Sequence, residues 1–206
     1  MYTRDDELYH YGILGMRWGV RRYQNKDGSL TYAGKKKLAS KIQRADQNND
    51  AFKVSRIANK AFSNYKTTSK SYQIAMASKK QIAEADREIN RRSHAYAEKM
   101  VGKKWKDIRD PVEQFKYIGA GQAEAKRLAS TKEFMSMSTA YSKNYSKAYK
   151  DAQRFVDNCL EDYGNVKLKN PMSVSVNLKT GDVSQQTVAQ RVAIELMRDA
   201  QYGRNG

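Results

Sequence analysis

Cysteine occurs once, histidine twice and proline twice in 206 residues, and no apolar run approaches the roughly 20 residues that span a bilayer. Each shortage excludes something. A single cysteine, Cys159, rules out an internal disulfide framework and fits a reduced compartment or indifference to redox. Within RFVDNCLEDY, helical spacing turns it toward Phe155 and Tyr163, as a small buried hydrophobe. His10 and His94 lie far apart in sequence, which argues against a zinc site of four closely spaced ligands. Few prolines beside many Ala, Lys, Gln, Met and Arg favour long helices. The opening DDELYHYG is not a signal peptide, so a soluble, non-secreted protein without membrane insertion is expected.

Catalytic patterns are equally sparse. No glycine-rich phosphate loop ends in Lys-Ser/Thr, and no serine elbow occurs. The glycines of GILGMRWG have neither the preceding strand nor the following helix of a dinucleotide site. Carboxylates cluster at Glu84, Asp86 and Glu88, but Lys79, Lys80, Arg87, Arg91 and Arg92 surround them, as on a solvated, ion-paired helix. A protein with no enzymatic activity and no cofactor is the expectation.

Positive charge is what the chain has in excess. Thirty-nine Lys and Arg against 22 Asp and Glu leave a net +17, at a mean hydropathy of -0.89. Such a surplus repels itself unless a polyanion or an acidic surface offsets it, so DNA, RNA, an anionic membrane surface or an acidic protein all qualify as partners. Its distribution narrows the choice. Arg17, Arg21, Arg22, Lys26, Lys35, Lys36, Lys37, Lys41 and Arg44 face a single acid, Asp27, between residues 10 and 44. Long cationic side chains beside aromatic rings can meet phosphates while the rings pack or stack. Arg17, Arg21, Arg22, Lys35, Lys36, Lys37, Lys41 and Arg44 are therefore the candidate contacts to double-stranded DNA. Trp18, Tyr23 and Leu30 are candidate anchors for docking on a partner. The competing reading makes these ordinary solvated charges on a docked hairpin.

Three segments follow from the patterning. In the first, 1–45, Asp27-Gly28 signals a hairpin turn, and Thr31 caps a helix through AGKKKLASKIQRA with Leu38, Ile42 and Ala45 on one face. DQNND, 46–50, is a polar break. The second, 51–163, is an elongated helical domain. A heptad-like seam from Val54 through Tyr65, Tyr72, Ile82 and Ser93 to Met100 predicts one long helix over about 51–105, packed on a second over about 120–163. Pro111 starts a helix capped by Asp110, and Gly119 and Gly121 interrupt or bend the chain. The third, 164–206, combines a short strand through Val174, Val176 and Leu178, a turn at Thr180-Gly181-Asp182 and a C-terminal helix carrying Val188, Val192 and Leu196. The whole is mainly α, with long packed helices and small β elements near both termini. Tyrosine, at 14 residues, fills seams between Ala-rich helices while keeping its hydroxyl in water; the sharper alternative is a set of stacking platforms for bases.

The stretch HYGILGMRWGVRRYQNKDGSLTYAGKKK resembles an N-terminal segment carried by otherwise dissimilar bacteriophage and prophage proteins of Gram-positive hosts. The pattern matches at His10, Gly12, Gly15, Met16, Arg17, Trp18, Gly19, Val20, Arg21, Arg22, Tyr23, Gln24 and Asn25. It resumes at Asp27, Gly28, Ser29, Leu30, Thr31, Ala33, Gly34 and Lys35. Tyr11 and Lys26 depart from it without disturbing the Asp-Gly turn. Relatives with this segment are mostly phage structural, head or head–tail proteins, or proteins with no assigned role. The resemblance implies a viral origin, association with the virion and an address or docking role for the segment.

Two functions compete. One is a non-enzymatic virion-associated or head-assembly protein in electrostatic contact with DNA, found in the virion or host cytoplasm. The other is a phage effector that binds and inhibits a host defence or nucleic-acid enzyme. Either admits another phage or host protein as partner, and self-association as a homo-oligomer.

Overall fold

A computed structural model describes residues 23–25, 29–177 and 179–202. The first helix, α1 (Tyr32–Gln47), begins where the sequence places it, with the Thr31 hydroxyl accepting from Gly34 N at 3.1 Å. α2 (Ala51–Ala61), α3 (Ser63–Thr68) and α4 (Lys70–Val101) follow, then a 3-10 turn at Trp105–Asp107, α5 (Pro111–Ala129) and α6 (Lys132–Leu160). Strands β1 (Val174–Val176) and β2 (Val183–Gln185) pair antiparallel with Val176 opposite Val183, and α7 (Val188–Tyr202) closes the chain. The fold is mainly α, with a small two-stranded sheet near the C-terminus. No helix among the described residues is long and apolar enough to cross a membrane.

The described residues form two compact units, each discontinuous in sequence. Unit 1 joins residues up to Ile57 with Phe155–Val192, and unit 2 joins Ala58–Arg154 with residues from Ala193 onward. The three sequence segments 1–45, 51–163 and 164–206 cut the chain elsewhere.

In unit 1 the apolar face of α1, Ala39, Ile42 and Ala45, is buried, as are Val156, Leu160, Leu168, Val188, Ala189 and Val192. Residues 164–168 run beside 186–189: Leu168 N donates to Gln186 O (2.8 Å), Val188 N to Val166 O (2.9 Å) and Ala189 N to Gly164 O (3.0 Å). Thr187 and Gln190 form a reciprocal cap at the start of α7, Gln190 N donating to the Thr187 hydroxyl and Thr187 N to the Gln190 side-chain oxygen. The turn of the β1–β2 hairpin uses Gly181 at φ +75, a left-handed conformation that costs glycine little.

DQNND, expected as a polar break, contains the polar hub of this unit. Asp46 is 3% exposed. Its Oδ1 accepts from Ser173 Oγ at 2.7 Å and lies 3.6 Å from Arg191 Nε, and its backbone oxygen accepts from Asn170 Nδ2 at 2.6 Å. Asn170 also donates to the Asn49 side chain (2.6 Å) and accepts from Met172 N (2.9 Å). Residues more than 120 positions apart are thus joined by polar groups that burial compels to find partners.

Unit 2 is built on α4 and α5. Ala97, Ile108 and Tyr117 form a buried cluster against which Val101 and Ala120 pack. The single helix expected over 51–105 is instead three helices, interrupted at Phe62 and Ser69. Phe62 is buried at the first break, and the Ser69 hydroxyl caps α4 by accepting from Tyr72 N at 3.3 Å. The expected seam positions Val54, Ala58, Tyr65, Tyr72 and Ala75 are nevertheless buried across both breaks, with Phe62 added, while Tyr96 and Met100 at its far end are exposed. Gly119 and Gly121 do not interrupt the chain either, since α5 runs through both. Two glycines cost about 1 kcal/mol each in a helix. The Asp110 cap, Pro111 in the first turn and burial of Tyr117 and Leu128 on the same helix oppose that cost. The break falls at Ser130-Thr131 instead.

Tyr65 and Tyr141 fill seams without leaving their hydroxyls to water, whereas Tyr32 and Tyr96 stay exposed. Tyr65 is 2% exposed and donates to Ala148 O at 2.9 Å; Tyr141 donates to Ala200 O at 2.8 Å. Asn144 Nδ2 donates to Ser78 Oγ at 2.7 Å, and Lys66 pairs with Asp199 at 2.6 Å. Burial raises the ionisation of Tyr65, Tyr72 and Tyr141 above the usual phenol range, so these hydroxyls remain donors.

Candidate nucleic-acid interface

The hairpin ahead of α1 is short and anchored. Gln24 and Leu30 form an antiparallel bridge, Asn25 N donates to Ser29 O (2.8 Å) and Thr31 N to Tyr23 O (3.2 Å). The Tyr23 carbonyl then lies over Gly34, where an added Cβ would stand 2.1 Å from that oxygen. Gly34 is therefore required by close approach of backbone to backbone rather than by its own dihedrals. Arg17, Trp18, Arg21 and Arg22, and the Asp27-Gly28 turn itself, lie outside the described residues.

Cations crowd the first turn of α1, where the helix dipole opposes them. Two of the three consecutive lysines have compensating contacts. Lys35 Nζ meets the Glu161 carboxylate at 2.5 Å, with its side chain 15% exposed. Lys37 Nζ sits 3.8 Å from the centre of the Tyr23 ring, a cation–π contact. Lys36 projects into solvent. Tyr23 and Leu30 are half-buried, so the expected docking anchors are partly engaged within the protein itself.

Lys37, Lys41 and Arg44 are exposed and recur at i, i+4 and i+7, one face of α1. None pairs with a carboxylate among the described residues. Asp46, the one acid of α1, points into the buried hub, and Asp50 is occupied in accepting from Lys53 N at 2.8 Å. The stripe runs about 10 Å along the helix, close to the rise of about three nucleotides of one DNA strand. Of the eight cations named from sequence, the structure thus groups Lys37, Lys41 and Arg44 on one open face, leaves Lys36 beside it and commits Lys35 to Glu161.

The sequence reading missed a second concavity. A cavity of about 320 Å³ opens between α4 and α5 in unit 2, lined by His94, Trp105, Tyr117, Ile118 and Gln122 among others. The Trp105 and Tyr117 ring centres are 5.2 Å apart, and the Tyr117 hydroxyl lies 3.1 Å from His94 Nδ1. Trp105 within VGKKWKDIRDP was the available signal; it marks only a change of element until α5 folds back onto α4.

What fold and surface define is a helical, strongly basic protein with a cationic helix face. A family of unknown function, DUF7211, matches residues 1–25, the part of the chain that includes HYGILGMRWGVRRYQN. No curated protein and no solved structure matches the chain.

Proposed function

We propose that the chain is a non-enzymatic bacteriophage protein, associated with the virion or with head assembly, that touches double-stranded DNA through α1. The observation supporting DNA contact is the Lys37–Lys41–Arg44 stripe, exposed, uniform in sign and without carboxylate partners among the described residues. Its contacts would be to phosphates and hence independent of base sequence. The phage setting rests on the resemblance of residues 10–37.

Binding of a labelled duplex, followed by fluorescence anisotropy across a salt series, tests the contact. Three neutralised phosphates predict a slope of about −3 in log affinity against log salt, with further steepening from any other cations engaged. Lys37→Gln/Lys41→Gln/Arg44→Gln should remove most of the affinity while leaving the fold intact. Unchanged binding in that variant would refute the assignment to α1. Quantitative mass spectrometry of purified particles tests the virion role: stoichiometric presence supports it, and absence transfers the assignment to a host-directed effector.

A further inference from the structure

The cavity between α4 and α5 is separate from the DNA-binding stripe in chemistry. Its walls are mainly apolar, through Trp105, Tyr117 and Ile118, with His94 and Gln122 among the polar lining residues. Trp105 is 46% exposed and Ile118 43%, and Phe115, one turn before Ile118 on α5, is 78% exposed. Isolated exposed hydrophobes need no explanation, but a run of them beside an open cavity marks a recognition surface.

Cations lie beside its Trp105 wall. Lys104 and Lys106 flank Trp105 in the chain, and Arg109 Nη1 donates to Lys106 O at 2.9 Å; all three are exposed and none pairs with a carboxylate among the described residues. Acids nearby offset only part of this charge. Glu113 holds Lys103 at 2.7 Å, and Asp110 caps α5 by accepting from Val112 N at 2.9 Å, leaving Asp107 and Glu98, whose charge reaches Tyr117, as the local counter-charges. A mainly apolar recess with surplus positive charge beside it complements one kind of occupant.

We propose that this cavity is a docking site for an acidic, amphipathic segment of a partner protein. A Phe or Leu side chain of that segment enters beside Trp105 and Ile118, and its Asp and Glu residues meet Lys104, Lys106 and Arg109. A bulky apolar anchor within a charged rim is the ordinary division of labour at small interfaces. Nucleic acid fits less well. Phosphates would use the rim and leave the apolar walls uncovered, and one side of Trp105 already lies against Tyr117.

The test uses the full-length protein and a fluorescein-labelled peptide in which Phe and Leu at helical spacing alternate with Glu and Asp. A second peptide has every Phe and Leu replaced by Ser. Unlabelled duplex and single-stranded DNA serve as competitors. Two variants address the site through exposed positions, Lys104→Glu/Lys106→Glu for the rim and Ile118→Ser for the mouth, with folding checked by thermal melting. The apolar-acidic peptide should bind, and each variant should weaken it about tenfold or more, about 1.4 kcal/mol. The Ser peptide should bind at least as weakly as the variants do. No binding of the first peptide, equal binding of the two peptides, or binding indifferent to both variants would overturn the proposal. So would DNA that displaces the peptide and loses affinity in Lys104→Glu/Lys106→Glu. Because Lys37→Gln/Lys41→Gln/Arg44→Gln leaves this cavity untouched, failure of the α1 assignment and failure of this one are read separately.

Discussion

The two units solve the same problem with different chemistry. Both must hold helices with small alanine faces against segments distant in sequence. Unit 1 does so through a buried acid, Asp46, whose partners come from Asn170, Ser173 and Arg191. Unit 2 uses phenol rings, with Tyr65 and Tyr141 spanning the gap and donating to backbone carbonyls of α6 and α7. The difference lies in what each tolerates. A buried carboxylate with several dependants loses much when removed, because the groups left behind are themselves desolvated. A tyrosine keeps its ring area and loses only hydrogen bonds when its hydroxyl is deleted. Polar hubs therefore fix a unique arrangement, and aromatic seams provide graded stability.

The sharpest way to break this contrast is Asp46→Ala. It removes the acceptor of the Ser173 hydroxyl and the carboxylate facing Arg191, and should cost about 3 kcal/mol in urea unfolding. Asp46→Asn keeps an acceptor for Ser173 and should cost less. If the alanine variant were no less stable than Tyr65→Phe, the distinction between the units would fail.

Next in size is Gly34→Ala. The new Cβ meets a backbone carbonyl that a rotamer change cannot move, so either the Tyr23 strand lifts away or α1 shifts. A loss of about 2 kcal/mol is expected, the range of overpacked cores. Loss of protection at the Thr31 amide, followed by hydrogen exchange, would show that the hairpin has come off α1. Stability equal to the parent would show that the close approach carries no weight.

These two positions also show how far sequence reading reaches. Local chemistry was legible: Thr31 and Asp110 cap helices because their side chains reach the amides within three residues, and the Val174–Val176 alternation forms a strand. The basic surplus before Arg44 was legible as well, since charge needs no fold to be counted. Pairing across the chain was not. Nothing near DQNND distinguishes a solvated break from a hub, because Asp46 acquires its meaning only when Asn170 and Ser173 arrive. The seam from Val54 kept its buried positions at Tyr65, Tyr72 and Ala75 but not its single helix, for a related reason: spacing by fours and threes survives a helix break when Phe62 is buried at the break itself. Lys35 and Lys37 look equivalent in sequence, yet Glu161 claims one and Tyr23 lies beneath the other.

Tyr65→Phe sharpens the comparison from the side of unit 2. The ring remains, the Ala148 carbonyl loses a donor at 2.9 Å, and Ser69 and Ser71 lose a hydrogen-bonding neighbour. The expected cost is about 1 kcal/mol, led by the buried bond to Ala148. Combining it with Tyr141→Phe should add nearly independently, because the two hydroxyls address different carbonyls. A double variant losing far more than the two single effects together would mean that the seam is a coupled network like the Asp46 hub.

The smallest effect belongs to Cys159 in unit 1, half-buried near the end of α6. Burial pushes its thiol above the ordinary value, and the positive charge of Lys35 opposes that only in part. A raised thiol means the folded state holds its proton at a pH where the unfolded chain has released it. The resulting contribution to stability is fully present below the ordinary thiol range and declines as pH rises through it, since the unfolded state then binds fewer protons. Cys159→Ser should flatten the alkaline arm of stability measured against pH by a small but resolvable amount. Reaction of the native protein with a disulfide reagent should have its midpoint at higher pH than reaction of the urea-unfolded chain. Lys35→Gln should shift the native midpoint further upward, because the Lys35 attraction favouring the thiolate has gone. A native midpoint below the unfolded one would show that Lys35 outweighs burial, and that charge rather than packing sets the chemistry of this thiol.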